Sequence, residues 1–323
     1  MSVQDQTEYE DLLGLWSDLE AGLGILLGSP ASIQEFEQRV WQYDRWMQTL
    51  LERDADVGLY LLFQLATNSS VGYSASHALI CSVLCHLIAG ELKLAMPERN
   101  SLVHAAMTMN IAMTALQDEL ALQTDPLTPE QQDAIRAHGA KASLMLANLG
   151  VTDELWLEVV SSHHDENPEK VDLRLLPPRK RLVSILRAVD RYAAMISPRK
   201  SREGRSTTES VRSIMSSAAP YNDAVGHALV RAVGLCPPGT YVRLEDNSIA
   251  VVVRRNHSNK TNLPHVAIVT DATGAVLPRP RLHCPANGRP SLKAALASAL
   301  VRQRFNHHLV LQLGAQAALA QSA

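Results

Sequence analysis

Before Thr240 the chain carries no alternating run rich in Val, Ile and Thr; its apolar residues recur at helical spacing instead. That contrast limits the fold more than any other feature. A period of two buries one face of a strand, and a period near 3.6 buries one face of a helix. Val40, Tyr43, Met47, Leu50 and Leu51 follow helical spacing, with Gln42, Asp44 and Arg45 between them. Ser32, with Glu35 three residues on, predicts a capping box at the start of this segment. Further helices are expected over residues 76–94 and 101–123. Thr128-Pro129-Glu130-Gln131 predicts another N-terminus, with Thr128 as N-cap, Pro129 at the first helical position and Gln131 closing the box. That helix should run through His138 to Ala147 and stop at Gly150. Two more are expected at 153–164 and 179–196.

Beyond Thr240 the period changes. Thr240 to Leu244, a turn at Glu245-Asp246-Asn247, and Ser248 to Val253 predict a β-hairpin. His265 to Thr270 predicts a third strand, followed by a turn through Asp271 to Gly274. A helix is expected over roughly 290–303, and the tail from Leu311 to Ala323 is helical or frayed. The expected fold class is mainly α: a helical bundle with an N-terminal helical extension and a small C-terminal β appendage. The expected divisions are residues 1–60, 61–232 and 233–323.

Composition narrows the functional classes. Hydrophobic residues are 46% and aromatics only 4%, so the core rests on Leu, Ala, Val, Ile and Met. Lys and Arg number 30 against 33 Asp and Glu, a net charge of -3, so no basic field draws the chain onto a nucleic acid polymer or an anionic membrane. The acidic start, Gln4 to Glu8, is unlike a signal peptide. No apolar run approaches the ~20 residues of a membrane span; the best, His77 to Ala89, is expected to be too short. Cys81, Cys85, Cys236 and Cys284 are too sparse for a disulfide scaffold. A cytoplasmic protein is the expectation.

The chemistry-bearing feature is the order of His77, His138, His163, His164 and Asp190 on successive predicted helices. Facing helices of a bundle are where metal sites are built, and imidazole with carboxylate suits Zn, Fe, Mn or Ni. A blander role stands beside this one: His163 and His164 would cap a helix end, and Asp190 would pair with Arg187 or Arg191. Cys81 and Cys85 share a helical face with His77, but buried Cys is ordinarily a small apolar filler, and that is the expectation for both. Arg174, Arg179, Lys180, Arg181, Arg187, Arg191, Arg199, Lys200, Arg202, Arg205 and Arg212 form a basic segment. It is either a solvated face or, at Arg199, Lys200 and Arg202, a phosphate-binding group. The stretch Glu203 to Thr208 is expected to be a loop.

These residues carry a family resemblance over roughly residues 73–275. His77 falls at a first helix histidine. "LTPEQQDAIRAHGAKASLMLANLG" leads to His138. His163-His164-Asp165-Glu166 is similar to a His-His-Glu element, and "LVSILRAVDRYAAMISPRKSR" carries Asp190 and Arg199. "GLCPPGTYVRLEDNSIAVVV" is similar to a closing β segment. Together they resemble the HD-GYP branch of the HD phosphohydrolase superfamily, helical metal-dependent phosphodiesterases that hydrolyse the bacterial messenger cyclic di-GMP. The resemblance implies an HD-type bundle, with His77, His138, His163, His164 and Asp190 as metal ligands and Arg199, Lys200 and Arg202 near the ligand.

The departures are as informative as the matches. The signature His-Asp-x-Gly-Lys falls on Met109-Asn110-Ile111-Ala112-Met113. The Gly-Tyr-Pro loop is replaced by Asn167-Pro168-Glu169-Lys170, and Tyr73 stands where some members have a glutamate ligand. In the family the signature carboxylate bridges two metals; Asn110 offers one neutral oxygen, and Met109 is a soft thioether. No catalytic residue is assigned. The expectation is one weakly held divalent metal (Fe, Mn or Zn) in a degenerate signalling domain. Such a domain would sense cyclic di-GMP or another anionic nucleotide, or bind a signalling protein. The alternative is a phosphodiesterase working with a reduced metal centre.

Overall fold

The structure is a computed structural model and describes residues 3–68, 71–165, 171–200, 204–216, 220–256, 263–301 and 303–322. Ten helices come first in the chain: α1 (Val3–Gly28), α2 (Phe36–Asn68), α3 (Tyr73–Glu91), α4 (Met96–Thr108), α5 (Thr114–Leu122), α6 (Pro129–Asn148), α7 (Glu154–Ser162), α8 (Pro178–Ile196), α9 (Thr207–Met215) and α10 (Pro220–Val233). Five strands follow: β1 (Tyr241–Leu244), β2 (Ile249–Arg254), β3 (His265–Thr270), β4 (Val276–His283) and β5 (Leu292–Leu296), then α11 (His307–Ser322). The molecule is mainly α with a C-terminal antiparallel sheet, the expected class.

Helix α3 is the centre of the bundle. It is apolar nearly all round, with residues from Ser74 to Ala89 buried on every face, as a helix enclosed by others must be. By length and composition this 19-residue helix could cross a membrane, which corrects the expectation of a shorter run; 78% of its apolar window is buried inside the protein. Its N-terminus is capped from elsewhere in the chain. Gly72 lies at φ 140 and has no side chain to cap the helix, and Asp118 of α5 accepts hydrogen bonds from the Ser74 amide (2.7 Å) and hydroxyl (3.0 Å). A Cβ on Gly72 would meet that carboxylate at 3.1 Å.

Three local expectations fail. Ser32 does not cap α2: it ends a 3-10 turn, donates its hydroxyl to the Ser29 carbonyl, and Glu35 sits at φ 52. The expected helix over 101–123 breaks. α4 stops at Thr108, Asn110 leaves helical backbone (φ -103, ψ 9), and a 3-10 turn at Ile111–Met113 redirects the chain into α5. Asparagine competes with helical backbone, and the break is what delivers Asp118 to α3. Of the expected loop at Glu203–Thr208, Glu203 lies outside the described residues and 204–206 carry no helix or strand; Ser206 and Glu209 then form a capping box that opens α9 at Thr207. The expected helix at 290–303 is the edge strand β5, paired antiparallel with β1, and a 3-10 turn; pairing with β1 overrides helical propensity in an Ala- and Leu-rich run.

Other expectations hold. Thr128 and Gln131 make the capping box of α6. That helix ends at Gly150, with Gly150 and Val151 amides donating to the Ala147 and Leu146 carbonyls. β1 and β2 form the hairpin, within a sheet of order β4-β3-β2-β1-β5. One face of the sheet packs Val251, Val253 and Val269 with Tyr60, Val310 and Leu311, and the other packs Val242, Val252 and Val266 with Cys236. Enclosure on both faces explains the continuous apolar run of β2.

Candidate metal centre

Two helix encounters assemble the site. In the first, α6 meets the end of α7. Gly139 permits the approach: a Cβ there would lie 3.1 Å from the Ser161 carbonyl oxygen and 3.2 Å from that of Val160. His138, the preceding residue, is thereby set against His163, with their Nε2 atoms 3.0 Å apart. His163 is also the C-cap of α7, so the cap and the candidate ligand are one residue. His164 completes a group of three whose ligand atoms lie within 4.8 Å of one another; it is exposed, and the other two are buried.

The hydrogen bonds of this trio fix its chemistry. His138 Nδ1 donates to the Ile135 carbonyl at 2.5 Å, and His163 Nδ1 donates to the Val160 carbonyl at 2.7 Å. A carbonyl can only accept, so each Nδ1 carries a proton. Burial pushes the His163 ring down to about 4, with His164 adding to the effect, and burial likewise lowers His138. Both rings are therefore neutral at pH 7, and both Nε2 atoms are lone pairs. Two lone pairs facing each other at hydrogen-bond distance lack a proton between them. A cation on the two nitrogens satisfies both, and the anchored Nδ1–H is the arrangement that orients metal-binding histidines.

In the second encounter, α3 meets α8. His77 Nε2 lies 2.9 Å from Asp190 Oδ1. Asp190 thus pairs with a histidine of another helix rather than with Arg187 or Arg191. Burial opposes its charge, but the His77 hydrogen bond and the nearby His77, His163 and His164 hold the carboxyl at about 2. Cys81, one turn after His77, places its Sγ 3.6 Å from His77 Nε2, and His77, Cys81 and Asp190 form a second group of metal-ligand atoms within 4.8 Å. Cys81 was expected to be filler. Its four-residue spacing from His77 was visible in the sequence; the arrival of Asp190 beside it was not.

The remaining predicted residues disperse. Arg199 Nη2 donates to the Tyr73 hydroxyl at 2.9 Å and its guanidinium lies 4.7 Å from the centre of the Tyr73 ring, which in turn stacks on His77 at 5.5 Å. Arg199 thus reaches the site through Tyr73, and its buried Nε has no partner. Lys200 is exposed, its amide donating to the Ala121 carbonyl. Arg202, Glu166 and the segment Asn167 to Lys170 lie outside the described residues. The basic segment is not one face: Arg181 pairs with Glu98 at 2.6 Å, and Arg179 donates to Ser162. Met109 is buried in the helical core, and Asn110 is half-buried in a cleft with Ser74, Ala78 and Gln117. A cavity of about 660 Å³ lies apart from the histidines, lined in part by Arg212, Arg231, Arg255 and Lys293.

No family model matches the chain. It is 26% identical over 222 residues to the cyclic di-GMP phosphodiesterase PA4108 of Pseudomonas aeruginosa, an alignment covering 67% of this chain. It spans about half the length of that relative, 52%. Among solved structures it is similar to Bd1817, a HDG"Y"P protein from Bdellovibrio bacteriovorus, with a TM-score of 0.48 and 12% identity over 71% of this chain and 72% of that one. Fold and site define a helical bundle with histidine and carboxylate donors at its centre.

Proposed function

We propose that the chain is a degenerate HD-GYP domain in cyclic di-GMP signalling, one that binds a divalent metal and an anionic nucleotide but hydrolyses it poorly. The observation that carries the metal reading is the facing pair of His138 and His163 Nε2 lone pairs, 3.0 Å apart with both Nδ1 atoms committed to carbonyls. One ion would be held at this centre by donors drawn from His138, His163 and His164 and from His77 and Asp190 on the adjoining side. When bound, such an ion supplies a Lewis acid for a phosphoryl oxygen and an acidified water. The protein's own groups supply the rest. Asp190 stays ionised, so it is available as an acceptor at neutral pH. Arg199, steered by Tyr73, brings a guanidinium whose free Nε suits a phosphate oxygen.

The impairment rests on Met109 and Asn110, which fall at the signature His and Asp positions. A thioether turned into the apolar core and a neutral amide do not supply a bridging carboxylate. The relative's phosphodiesterase activity favours a second reading, in which the reduced centre still turns over cyclic di-GMP.

One set of measurements separates the two: metal content after dialysis, with binding and turnover of cyclic di-GMP on the same protein. The expected result is at most one tightly held ion per chain, nucleotide binding that weakens with salt, and turnover far below the ~10 s⁻¹ of common enzymes. Turnover within tenfold of that rate establishes the phosphodiesterase. No binding of cyclic di-GMP, other guanine nucleotides or phosphate at millimolar concentration removes the sensor role and leaves a protein-interaction module.

A further inference from the structure

We infer that Cys81 is a metal ligand: with His77 and Asp190 it forms a sulfur-containing cation site that supplies, through a thiolate, the negative charge lost at Asn110. This rests on the reading that the centre binds metal, and extends it to a donor from outside the recognised histidine and aspartate set.

Geometry carries the inference. His77 and Cys81 stand one turn apart on α3, and α8 sets Asp190 against them. A zinc ion holds sulfur at ~2.3 Å and imidazole nitrogen at ~2.0 Å, so at a tetrahedral angle the two donors stand roughly 3.5 Å apart. The observed separation of Cys81 Sγ and His77 Nε2 is 3.6 Å. The Asp190 oxygen belongs to the same group, all three donor atoms lying within 4.8 Å. One nitrogen, one sulfur and one carboxylate oxygen are three donors for the one ion expected per chain, and three protein donors with a further ligand suit a four-coordinate zinc. Cys81 and His77 are 0% and 2% exposed, and the contact of His77 Nε2 with Asp190 at 2.9 Å turns that nitrogen toward the group.

Charge and hardness agree. A divalent ion facing Asp190 alone would leave an uncompensated positive charge in a buried site, which is costly. A Cys81 thiolate brings the group of ion, sulfur and carboxylate to neutrality. The step balances simply: the metal–sulfur bond forms as the S–H bond breaks, the proton leaves to solvent, and no oxidation state changes. Coordination to a divalent ion deprotonates a thiol outright. Sulfur also sets the preference, because thiolate favours zinc over the harder manganese and magnesium.

The test uses the full chain loaded with zinc for X-ray absorption, and with cobalt(II) for optical spectroscopy. The expected result is a sulfur shell at ~2.3 Å and a sulfur-to-cobalt charge-transfer band. Both should be lost in Cys81→Ser and kept in Cys85→Ser, with zinc affinity falling more than about tenfold in Cys81→Ser alone. A wild-type spectrum without sulfur decides against the assignment even if a variant misfolds. Bound zinc with only nitrogen and oxygen neighbours overturns the Cys81 assignment and leaves the functional reading standing. So does a sulfur signal that survives Cys81→Ser. A chain that retains no metal overturns both.

Discussion

Asp44 shows how far a single side chain can depend on its surroundings. It lies on α2, accepts hydrogen bonds from Arg99 through both carboxylate oxygens and from His104 at 3.2 Å, and is almost fully buried. Arg99 in turn donates to His86 at 3.0 Å. Burial raises the Asp44 carboxyl, but the His104 and Arg99 hydrogen bonds and charges outweigh it and hold the group at about 2, against an ordinary 3.8. Because the folded value is depressed, the stabilisation is complete above the unfolded value and is lost as pH falls from about 3.8 toward about 2. Asp44→Asn leaves the Arg99 charge buried without a counter-charge. Denaturant unfolding at pH 7 should show a loss of ~3–5 kcal/mol. Below pH 4 the gap between variant and wild type should narrow; a gap independent of pH would mean that the carboxylate charge is not what holds Arg99.

At the scale of elements, the crossing of α6 and α7 controls the centre. Gly139 sits where any side chain would press on two backbone carbonyls of α7, and backbone cannot rotate aside as a side chain can. Gly139→Ala should therefore push α6 outward by a few tenths of an ångström and separate His138 from His163. We expect overpacking to cost ~1–3 kcal/mol and zinc affinity to fall ~10–100-fold, as for loss of ligand-orienting contacts. Thermal melts and a zinc titration on the same preparation check this. Unchanged affinity in a folded Gly139→Ala protein would show that the crossing tolerates a methyl and that another contact positions His138. Sequence reading gave α6 its capping box and its Gly150 end correctly. The importance of Gly139 was not legible, because a glycine inside a helix declares its purpose only when the neighbour that requires it is known.

At the scale of the whole molecule, α2 joins the bundle to the sheet. Leu59 and Leu62 enter the helical core while Tyr60 between them enters the sheet core. The kink at Asp54 serves both sides. Its carboxylate accepts from the Asp56 and Val57 amides, restarting the helix, and it also pairs with Arg254 of β2. Asp56 pairs with Arg254 at 3.3 Å and with Arg255, and the Tyr60 hydroxyl lies 2.8 Å from His307 of α11. A helix shared in this way couples the two parts, so they should unfold together. Trp16, Trp41, Trp46 and Trp156 all lie in the helical part and report on it by fluorescence. Amide exchange in β2 and β3 reports on the sheet. Equal free energies from the two probes are expected; a sheet that opens at lower free energy than the tryptophans report would show that α2 does not bind the parts into one cooperative unit.

Local rules settled part of this architecture from sequence alone. Helical spacing before Thr240, alternation after it, the Thr128 box and the order His77, His138, His163, His164 and Asp190 follow from interactions between residues close in the chain, or from a pattern that covers the chain in order. Tertiary structure decided the rest. Ala- and Leu-rich residues 292–296 became a strand because β1 offered an unpaired edge. The stretch 101–123 broke so that Asp118 could cap α3. Asp190 found His77 and Cys81, 113 and 109 positions away by their numbering, because α3 and α8 pack side by side. Sequence names the donors available to a site; only packing determines which of their lone pairs face one another.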